Sequence, residues 1–137
     1  MKTSQAFSFS HFFIQKSHIE RLKPEEIGSM NIDIDVHGYI HAKDKTFQLD
    51  IIAKVWDESE VFNALVHGVG IFEFENLQNK NIESYFYLNA PAILFPYIRA
   101  YVTSLTSLSG LNPITLPTLN LESLKNKLKE NTELVED

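Results

Sequence analysis

The most constraining feature of this chain is an apolar helix that contains two prolines, within residues 89–99. Pro91 falls in the first turn, where its missing N–H has no partner to lose, and Asn89 is suited to cap that turn. Pro96 lies deeper, so we expect the helix to kink there. Apolar side chains recur around and beyond it at a 4-3-4-3 spacing, at Leu94, Ile98, Tyr101, Leu105 and Leu108. Such a stripe is typical of a helix that contacts another surface, which in a small chain indicates assembly.

Composition limits the class of protein. The chain fits a single domain, 1–137, and 44% of its residues are hydrophobic, with ten phenylalanines. The net charge of −6 argues against nucleic acid or an anionic membrane as a partner. No window reaches the roughly 18 apolar residues of a membrane span, and Met1–Ser10 lacks the apolar centre of a signal peptide. Because there is no cysteine, disulfides and thiolate zinc sites are excluded. We therefore expect a soluble, cytoplasmic domain.

The hydrophobic period changes along the chain from two residues to about 3.6. Four strands are predicted first, at Phe7–Ile14, Met30–Val36, Phe47–Val55 and Val61–Val66, the last continuing as Ile71–Phe74 after a bulge or bend at Gly68-Val69-Gly70. A long helix follows from Asn89 to Ser109 and ends at Gly110, and Asn120 is suited to cap a last helix. The acidic segment 130–137 is expected to fray. This order predicts an α+β fold, in which a four-stranded antiparallel sheet carries a long kinked helix and a short C-terminal helix on one face.

The second face of the predicted sheet is also partly apolar. Six residues fall on the opposite alternation from the main core: Phe12, Ile14, Ile52, Trp56, Val61 and Leu65. If they are exposed together they form a contact surface, because large apolar patches are uncommon on monomers. Alternatively, breaks in strand register return several of them to the core.

No catalytic constellation is recognisable in the sequence. His37 and His41 lie near Asp33 and Asp35, but a metal site on this pattern lacks a third ligand on a defined element. We therefore interpret these residues as a solvated strand face. A second set of charged residues is interpreted as a solvated cluster on a turn: Asp57, Glu58 and Glu60. The sequence predicts neither an enzyme nor a metal or cofactor site.

Three segments resemble the SecB export chaperone family. Ile93-Leu94-Phe95-Pro96-Tyr97-Ile98-Arg99 is similar to the family's Asn-Ile-Leu-Phe-Pro-Tyr-Ala-Arg-Glu, an unusual combination inside a helix. Gly70-Ile71-Phe72 resembles the Gly-Gly-Ile-Phe at the end of the family's last strand. Leu116-Pro117-Thr118-Leu119-Asn120-Leu121 resembles the Leu-Ala-Pro-Val-Asn-Phe that leads into its final helix. The resemblance covers most of the chain, from Phe7 to Leu128.

The resemblance implies a fold, an assembly and an activity. Members of that family form a four-stranded sheet with two helices, pair into dimers, and stack two dimers through their long helices. The stripe from Leu94 to Leu108 would then lie in the core or at subunit contacts of a homotetramer. Members also hold unfolded chains, without ATP, in apolar grooves, and the matching positions here are Ile32, Ile34, Phe62, Ala64, Val66, Leu121, Leu124 and Leu128. Taken singly, each of these residues is better explained as ordinary core.

One departure from the family concerns its partner, the translocase motor SecA. The family docks SecA on an acidic patch of the sheet, which by position would comprise Lys16, Glu20, Asn63 and Leu65 here. Only Glu20 keeps the charge. Replacing carboxylates by a lysine and neutral residues weakens binding to a cationic segment. The fold and the holding of unfolded chains therefore transfer better than the export role does.

Three classes of function follow. The resemblance implies an ATP-independent chaperone for unfolded polypeptides, serving either general export or a dedicated client such as the antitoxin of a toxin–antitoxin system. The lost docking charges favour the dedicated client. The alternative is a non-chaperone binding or assembly module, since a fold alone does not fix function. A small enzyme or metal protein is the third class, and it lacks a recognisable site.

Overall fold

The computed structural model describes residues 5–117 and 120–136, apart from the side chain of Leu121. The strands are β1 (Phe7–Arg21), β2 (Met30–His41), β3 (Thr46–Asp57), β4 (Phe62–Phe74) and β5 (Thr132–Val135). The helices are α1 (Ile82–Ser84), α2 (Ala90–Leu108) and α3 (Leu121–Glu130), and a π-helical turn, Tyr85–Asn89, joins the first two. None of these helices is long and apolar enough to cross a membrane.

The strands form one sheet in the order β1-β4-β3-β2-β5, and every neighbouring pair is antiparallel except β2 and β5. The predicted α+β class is confirmed, with five strands rather than four. The fifth strand corrects the expectation that segment 130–137 frays. The Gly38 N–H donates to the carbonyl of Asn131 at 3.2 Å, and Thr132–Val135 then runs parallel to β2. A short acidic strand gives little sequence signal, because its order comes from the strand it pairs with.

Strand β1 departs from strict alternation in two places. Its register against β4 shifts after Phe9 and again after Ile14. Each shift changes the face on which the following side chains lie. As a result Phe12 and Ile14 join Phe7 and Phe9 on the helix-facing side, and Phe13 turns to the other face. Two of the six residues with ambiguous faces are thereby returned to the core side, as the second interpretation of the sequence predicted.

Helix α2 lies directly on β4, where two glycines make room for it. A Cβ at Gly70 would stand 2.9 Å from Leu94 Cδ1, and a Cβ at Gly68 would overlap Ile98 Cδ1. Leu94 and Ile98 are consequently fully buried. The predicted bulge or bend at these glycines is wrong, because both lie within a strand that pairs with β3 without interruption. Their role is close approach of the helix.

The helical segment begins earlier than the sequence predicts. It starts at Ile82, passes through the π-helical turn and continues as α2, so Asn89 has helical dihedral angles and makes no capping hydrogen bond. In the π-helical turn, the Phe86 ring stacks on Phe47 with 4.3 Å between centroids, which ties the turn to the sheet. Pro96 lies on the exposed side of α2, and the helix continues through it.

The segment between α2 and α3 is anchored at both ends. Gly110 follows α2 with a φ of 82°, a conformation that favours glycine, as predicted. Asn120 accepts a hydrogen bond from the N–H of Glu122 at 3.1 Å and so caps α3, also as predicted. Between Gly110 and Asn120, the side chains of Leu111 and Leu116 are buried in the core.

Candidate client-binding and assembly surfaces

Most residues of the predicted client groove lie in the protein core. Five of them are at most 7% exposed: Phe62, Ala64, Val66, Leu124 and Leu128. The first three lie on β4, which is flanked by β1 and β3 and covered by α2, and the others face the sheet from α3. Their assignment to an accessible groove is therefore corrected, because these side chains have almost no exposed surface in this conformation. The side chain of Leu121 lies outside the described residues.

Two of the predicted groove residues keep accessible surface. Ile32 and Ile34 are half-buried on the helix-facing side of β2, where they pack against the core. Their cross-strand partners, Val55 and Ala53, are buried. Together with Met30, which is also half-buried, they form an apolar row that we call the β2 strip (Met30, Ile32, Ile34).

The β2 strip lies at a sheet edge that is only partly covered. Lys127 Nζ donates to the Ile34 carbonyl at 2.8 Å, Asn131 Nδ2 donates to the Val36 carbonyl at 3.0 Å, and β5 continues from there. Because alternate residues of a strand point their backbone groups to the same edge, the N–H and C=O of Ile32 also point here. No strand in the described part of the chain pairs with them. An open length of backbone thus lies beside apolar side chains.

The opposite edge of the sheet is the 15-residue strand β1. Within the described ranges no strand covers its outer side. Natural proteins usually protect such edges, because unpaired backbone groups are a template for pairing with another chain. The aromatic ring of Phe13 is 41% exposed beside it. This edge is suited to pairing with a second copy of the chain.

The predicted stripe on α2 divides between core and surface. Leu94 and Ile98 are core residues, whereas Leu108 is 88% exposed. Tyr101 and Leu105 are half-buried between these extremes, and the Tyr101 hydroxyl donates to Ser17 Oγ on β1 at 3.0 Å. The stripe therefore serves mainly to seat the helix on its own sheet.

A different row of α2 residues faces outward. Ile93 is 37% exposed and Tyr97 is 45% exposed, and Ala100 continues the row. The centroid of the Tyr97 ring lies 5.5 Å from that of Phe9 and 5.3 Å from that of Phe12, so the partly exposed ring packs against aromatic side chains of β1. We call this row the α2 outer row (Ile93, Tyr97, Ala100). Its aliphatic and aromatic side chains leave an apolar surface on the long helix.

The positions of the predicted motor-docking patch come together on the outer face of the sheet, away from the helices. Glu20 on β1 lies opposite Asn63 on β4, and Leu65 is two residues along β4. Lys16 follows on β1, opposite His67. Glu20 is the single carboxylate among the four positions, so the sheet does not present the acidic patch of the family here.

Ion pairing near the β2 edge involves residues that the sequence left as a solvated face. Lys127 Nζ lies 3.3 Å from Asp35 Oδ1, and His37 Nε2 lies 3.2 Å from Asp35 Oδ2. Burial raises the pKa of Asp35, but the hydrogen bonds from Lys127 and His37 outweigh it and leave the pKa below 3.8. In the described part of the chain no three His, Asp or Glu side chains group together as metal ligands.

Asp57 is a buried structural residue, which corrects its assignment to a solvated cluster. Its Oδ1 accepts from the N–H groups of Val61 at 2.7 Å and Phe62 at 3.0 Å, and its Oδ2 accepts from Gly28 at 3.2 Å. Burial raises the pKa of Asp57, but these backbone donors lower it below 3.8. The carboxylate thereby ties the β1–β2 connection to the β3–β4 turn. An acidic residue on a turn gave no sequence signal of this burial.

Comparison with known proteins identifies the family. The family described as preprotein translocase subunit SecB matches residues 5–131. This chain belongs to the SecB family. The protein-export protein SecB of Saccharophagus degradans is 28% identical over 102 residues, which cover 71% of this chain and 61% of that protein. The chain thus spans less than two thirds of the length of this SecB relative. The protein-export protein SecB of Neisseria meningitidis serogroup C is 26% identical over 133 residues and covers 90% of each protein.

The fold of this SecB-family chain also agrees with a solved structure. A SecB-like chaperone of Mycobacterium tuberculosis, in complex with a ChAD peptide from the HigA1 antitoxin, matches with a TM-score of 0.71 at 17% identity. The match covers 84% of this chain and 88% of that one. At this identity the likeness shows the fold alone, and it confirms the predicted SecB-like architecture.

Proposed function

We propose that this SecB-family chain is an ATP-independent chaperone that holds unfolded polypeptides by binding extended apolar segments along the β2 strip. The observation that carries the proposal is the open backbone at Ile32 beside half-buried isoleucines. A client segment added to this edge would form main-chain hydrogen bonds, and its alternate side chains would cover the β2 strip. Neither interaction needs a particular client sequence, and neither needs a nucleotide or an enzymatic step.

The energy for holding a client comes from area rather than from specific contacts. Burial of apolar surface contributes about 25 cal/mol per Å², so a segment covering a few hundred Å² gains several kcal/mol before ordering costs. Fixing an unfolded segment opposes this gain. A single chain therefore holds a segment weakly, and several copies that bind one client would hold it firmly.

We also propose that the chain forms a homo-oligomer, arranged as a dimer of dimers. The uncovered β1 edge supports pairing of two chains, and the α2 outer row supports contact between the pairs. An oligomer of this kind places several β2 strips on one particle.

The client we favour is a dedicated one, such as an antitoxin, met in the cytoplasm. The missing carboxylates at Lys16, Asn63 and Leu65 argue for weak docking to the SecA motor. The SecB-like chaperone of Mycobacterium tuberculosis, which has this fold, binds a peptide of an antitoxin. General export through SecA is the competing role.

An ATP-free aggregation assay tests the proposal. Guanidinium-unfolded citrate synthase is diluted into increasing amounts of the protein, and light scattering is followed. We expect suppression by the unchanged chain and its loss in Ile32→Asp. The matched control is Ile52→Asp, a half-buried isoleucine on the outer face, which should keep full activity. Equal loss in both folded variants would remove the β2 strip as the binding site. No suppression by the unchanged chain would favour a non-chaperone module.

A further inference from the structure

The outer face of the sheet carries a hollow of about 340 Å³ at the end of β1, β4 and β3. Its apolar part includes the half-buried Leu65 and the indole of Trp56, which is 39% exposed. Lys16 and His18 line it from β1, and Lys54 lines it from β3. His18, Leu65 and Lys54 form one row across the three strands, and Lys16 lies two residues before His18 on β1, so a lysine lies on each side of the leucine.

The sign of the charge in this hollow is opposite to that of the whole chain. The side chains that line it include no carboxylate, although the net charge is −6. The neighbouring carboxylates lie outside it: Glu20 is 3.8 Å from His18, and Asp33 lies opposite Lys54 on β2. Both carboxylates lie within the Debye length of about 8 Å, so they lower the positive potential of the hollow, and binding of an anionic ligand depends on its direct contact with Lys16 and Lys54.

We propose that this hollow docks a short acidic peptide segment of a partner protein. An apolar or aromatic side chain of the segment would pack on Leu65 and Trp56, while carboxylates on either side reach Lys16 and Lys54. Two strand spacings separate β1 from β3, which is about 10 Å and leaves room for one apolar side chain between two carboxylates. Strand β5 of the same chain, which carries Glu133, is held at the far edge of the sheet, beyond β2, so it does not fill the hollow.

This docking site is separate from the proposed chaperone site. The hollow lies on the outer face, whereas the β2 strip lies on the helix-facing side. A change in one surface therefore leaves the other intact, and the two proposals fail independently. The partner would be recognised by its negative charge, in contrast to the cationic segment that an acidic patch would take.

Trp56 is the sole tryptophan and reports directly on the hollow. The capped hexapeptide Glu-Asp-Phe-Leu-Asp-Glu is titrated into the full chain, and tryptophan emission is followed. We expect a saturable change in tryptophan emission, and we expect the peptide affinity derived from it to fall as the salt concentration is raised. Lys54→Glu should weaken binding about tenfold, because repulsion replaces attraction at one of the two lysines. The matched control Lys43→Glu, in the exposed β2–β3 turn, should leave the affinity within about twofold.

Three results would overturn the proposal. The first is equal or tighter binding of a peptide in which lysines replace all four acidic residues. The second is unchanged affinity in Lys54→Glu, with Lys16→Glu as the substitute if circular dichroism shows that the first variant is unfolded. The third is a change in Trp56 emission with protein concentration alone that is lost in Lys54→Glu, which would identify a second copy of the chain as the occupant of the hollow. Retained peptide binding in Ile32→Asp would support the independence of the two surfaces.

Discussion

The contact between β4 and α2 can be tested by adding one methyl group at Gly68. The described part of the chain has a positive glycine φ only at Gly110, so alanine is permitted by the backbone at Gly68. Its Cβ would overlap Ile98 Cδ1 and stand 3.0 Å from Phe12 Cε2. Overpacking of this kind costs about 1–3 kcal/mol. The reduced entropy of the unfolded chain offsets about 0.4–1 kcal/mol of that cost, so we expect Gly68→Ala to destabilise by about 1–2 kcal/mol.

A second substitution identifies the clashing atom. Ile98→Val removes Cδ1, which alone costs about 0.5–1.5 kcal/mol. If the two changes were independent, their sum would be about 2.5 kcal/mol. In the double variant, however, the new alanine methyl occupies the space that Cδ1 leaves. We therefore expect a total loss of about 1 kcal/mol, and a coupling energy of about 1.5 kcal/mol between the two sites.

Urea unfolding measures all four chains of this cycle. Trp56 emission and far-ultraviolet circular dichroism are followed at one fixed protein concentration, because assembly would make stability depend on concentration. The control is Gly28→Ala, where the nearest atom to a Cβ, Ser59 Oγ, is 3.5 Å away, so only the entropy term remains and the stability should rise by about 0.4–1 kcal/mol. Additive losses in the double variant would refute the close-approach explanation. So would a Gly68→Ala chain as stable as the unchanged one.

Three more substitutions test other contacts. Asp57→Asn should destabilise at pH 7, since its amide N–H₂ meets a backbone donor. The pKa of Asp57 in the folded chain lies below the ordinary aspartate value of 3.8, so the stabilisation by its carboxylate is present above pH 3.8 and is lost as the pH falls through the folded-state pKa. The difference in unfolding free energy between the unchanged chain and Asp57→Asn should therefore narrow below pH 3.8, as measured by urea unfolding at a series of pH values. The Ile114 N–H donates to the Thr106 hydroxyl at 3.0 Å, so Thr106→Val leaves this N–H without its acceptor. The substitution should lower the unfolding free energy by about 1–3 kcal/mol, measured by thermal unfolding, whereas Thr106→Ser should keep most of the stability because it keeps the hydroxyl. Lys127→Ala removes the side chain that covers the Ile34 carbonyl, so the affinity for an extended apolar peptide should rise about two- to tenfold. Fluorescence anisotropy of a labelled peptide measures this affinity. An unchanged value would exclude this edge from client binding.

Local patterns were sufficient for the order of the elements. Strict alternation located β2 and β3, because the apolar side chains of each strand lie on the one face that packs against the core. The residues that end α2 and cap α3, Gly110 and Asn120, were located correctly because each acts on backbone groups next to it in the chain. Period-two counting failed on β1, because a bulge adds a residue without a marker in composition. It also missed β5, whose order depends on an edge supplied by a distant strand.

The surfaces were harder to predict than the fold. Apolar content indicated that a groove or interface exists, but it does not separate a buried Val66 from an accessible Ile32 when both alternate correctly in their strands. That distinction depends on which strand is central and which is an edge. It therefore depends on the order of the strands in the sheet. Similarly, Gly68 was interpreted as a bend because the helix that requires its missing side chain is 30 residues away, at Ile98. The burial of Asp57 depends on Gly28, on a separate connection.

The parallel pairing of β5 with β2 has a consequence during synthesis. Strands β1 to β4 and helix α2 all precede α3 and β5 in the chain, so the sheet is able to form while Thr132–Val135 is still on the ribosome. Throughout that interval the backbone of β2 from Ile34 to His41 lacks the groups that later occupy it. A nascent chain is therefore most prone to pair with a neighbouring nascent chain just before Asn131 and β5 emerge. Asn131, which contacts both Val36 and Gly38, is the point at which that interval ends.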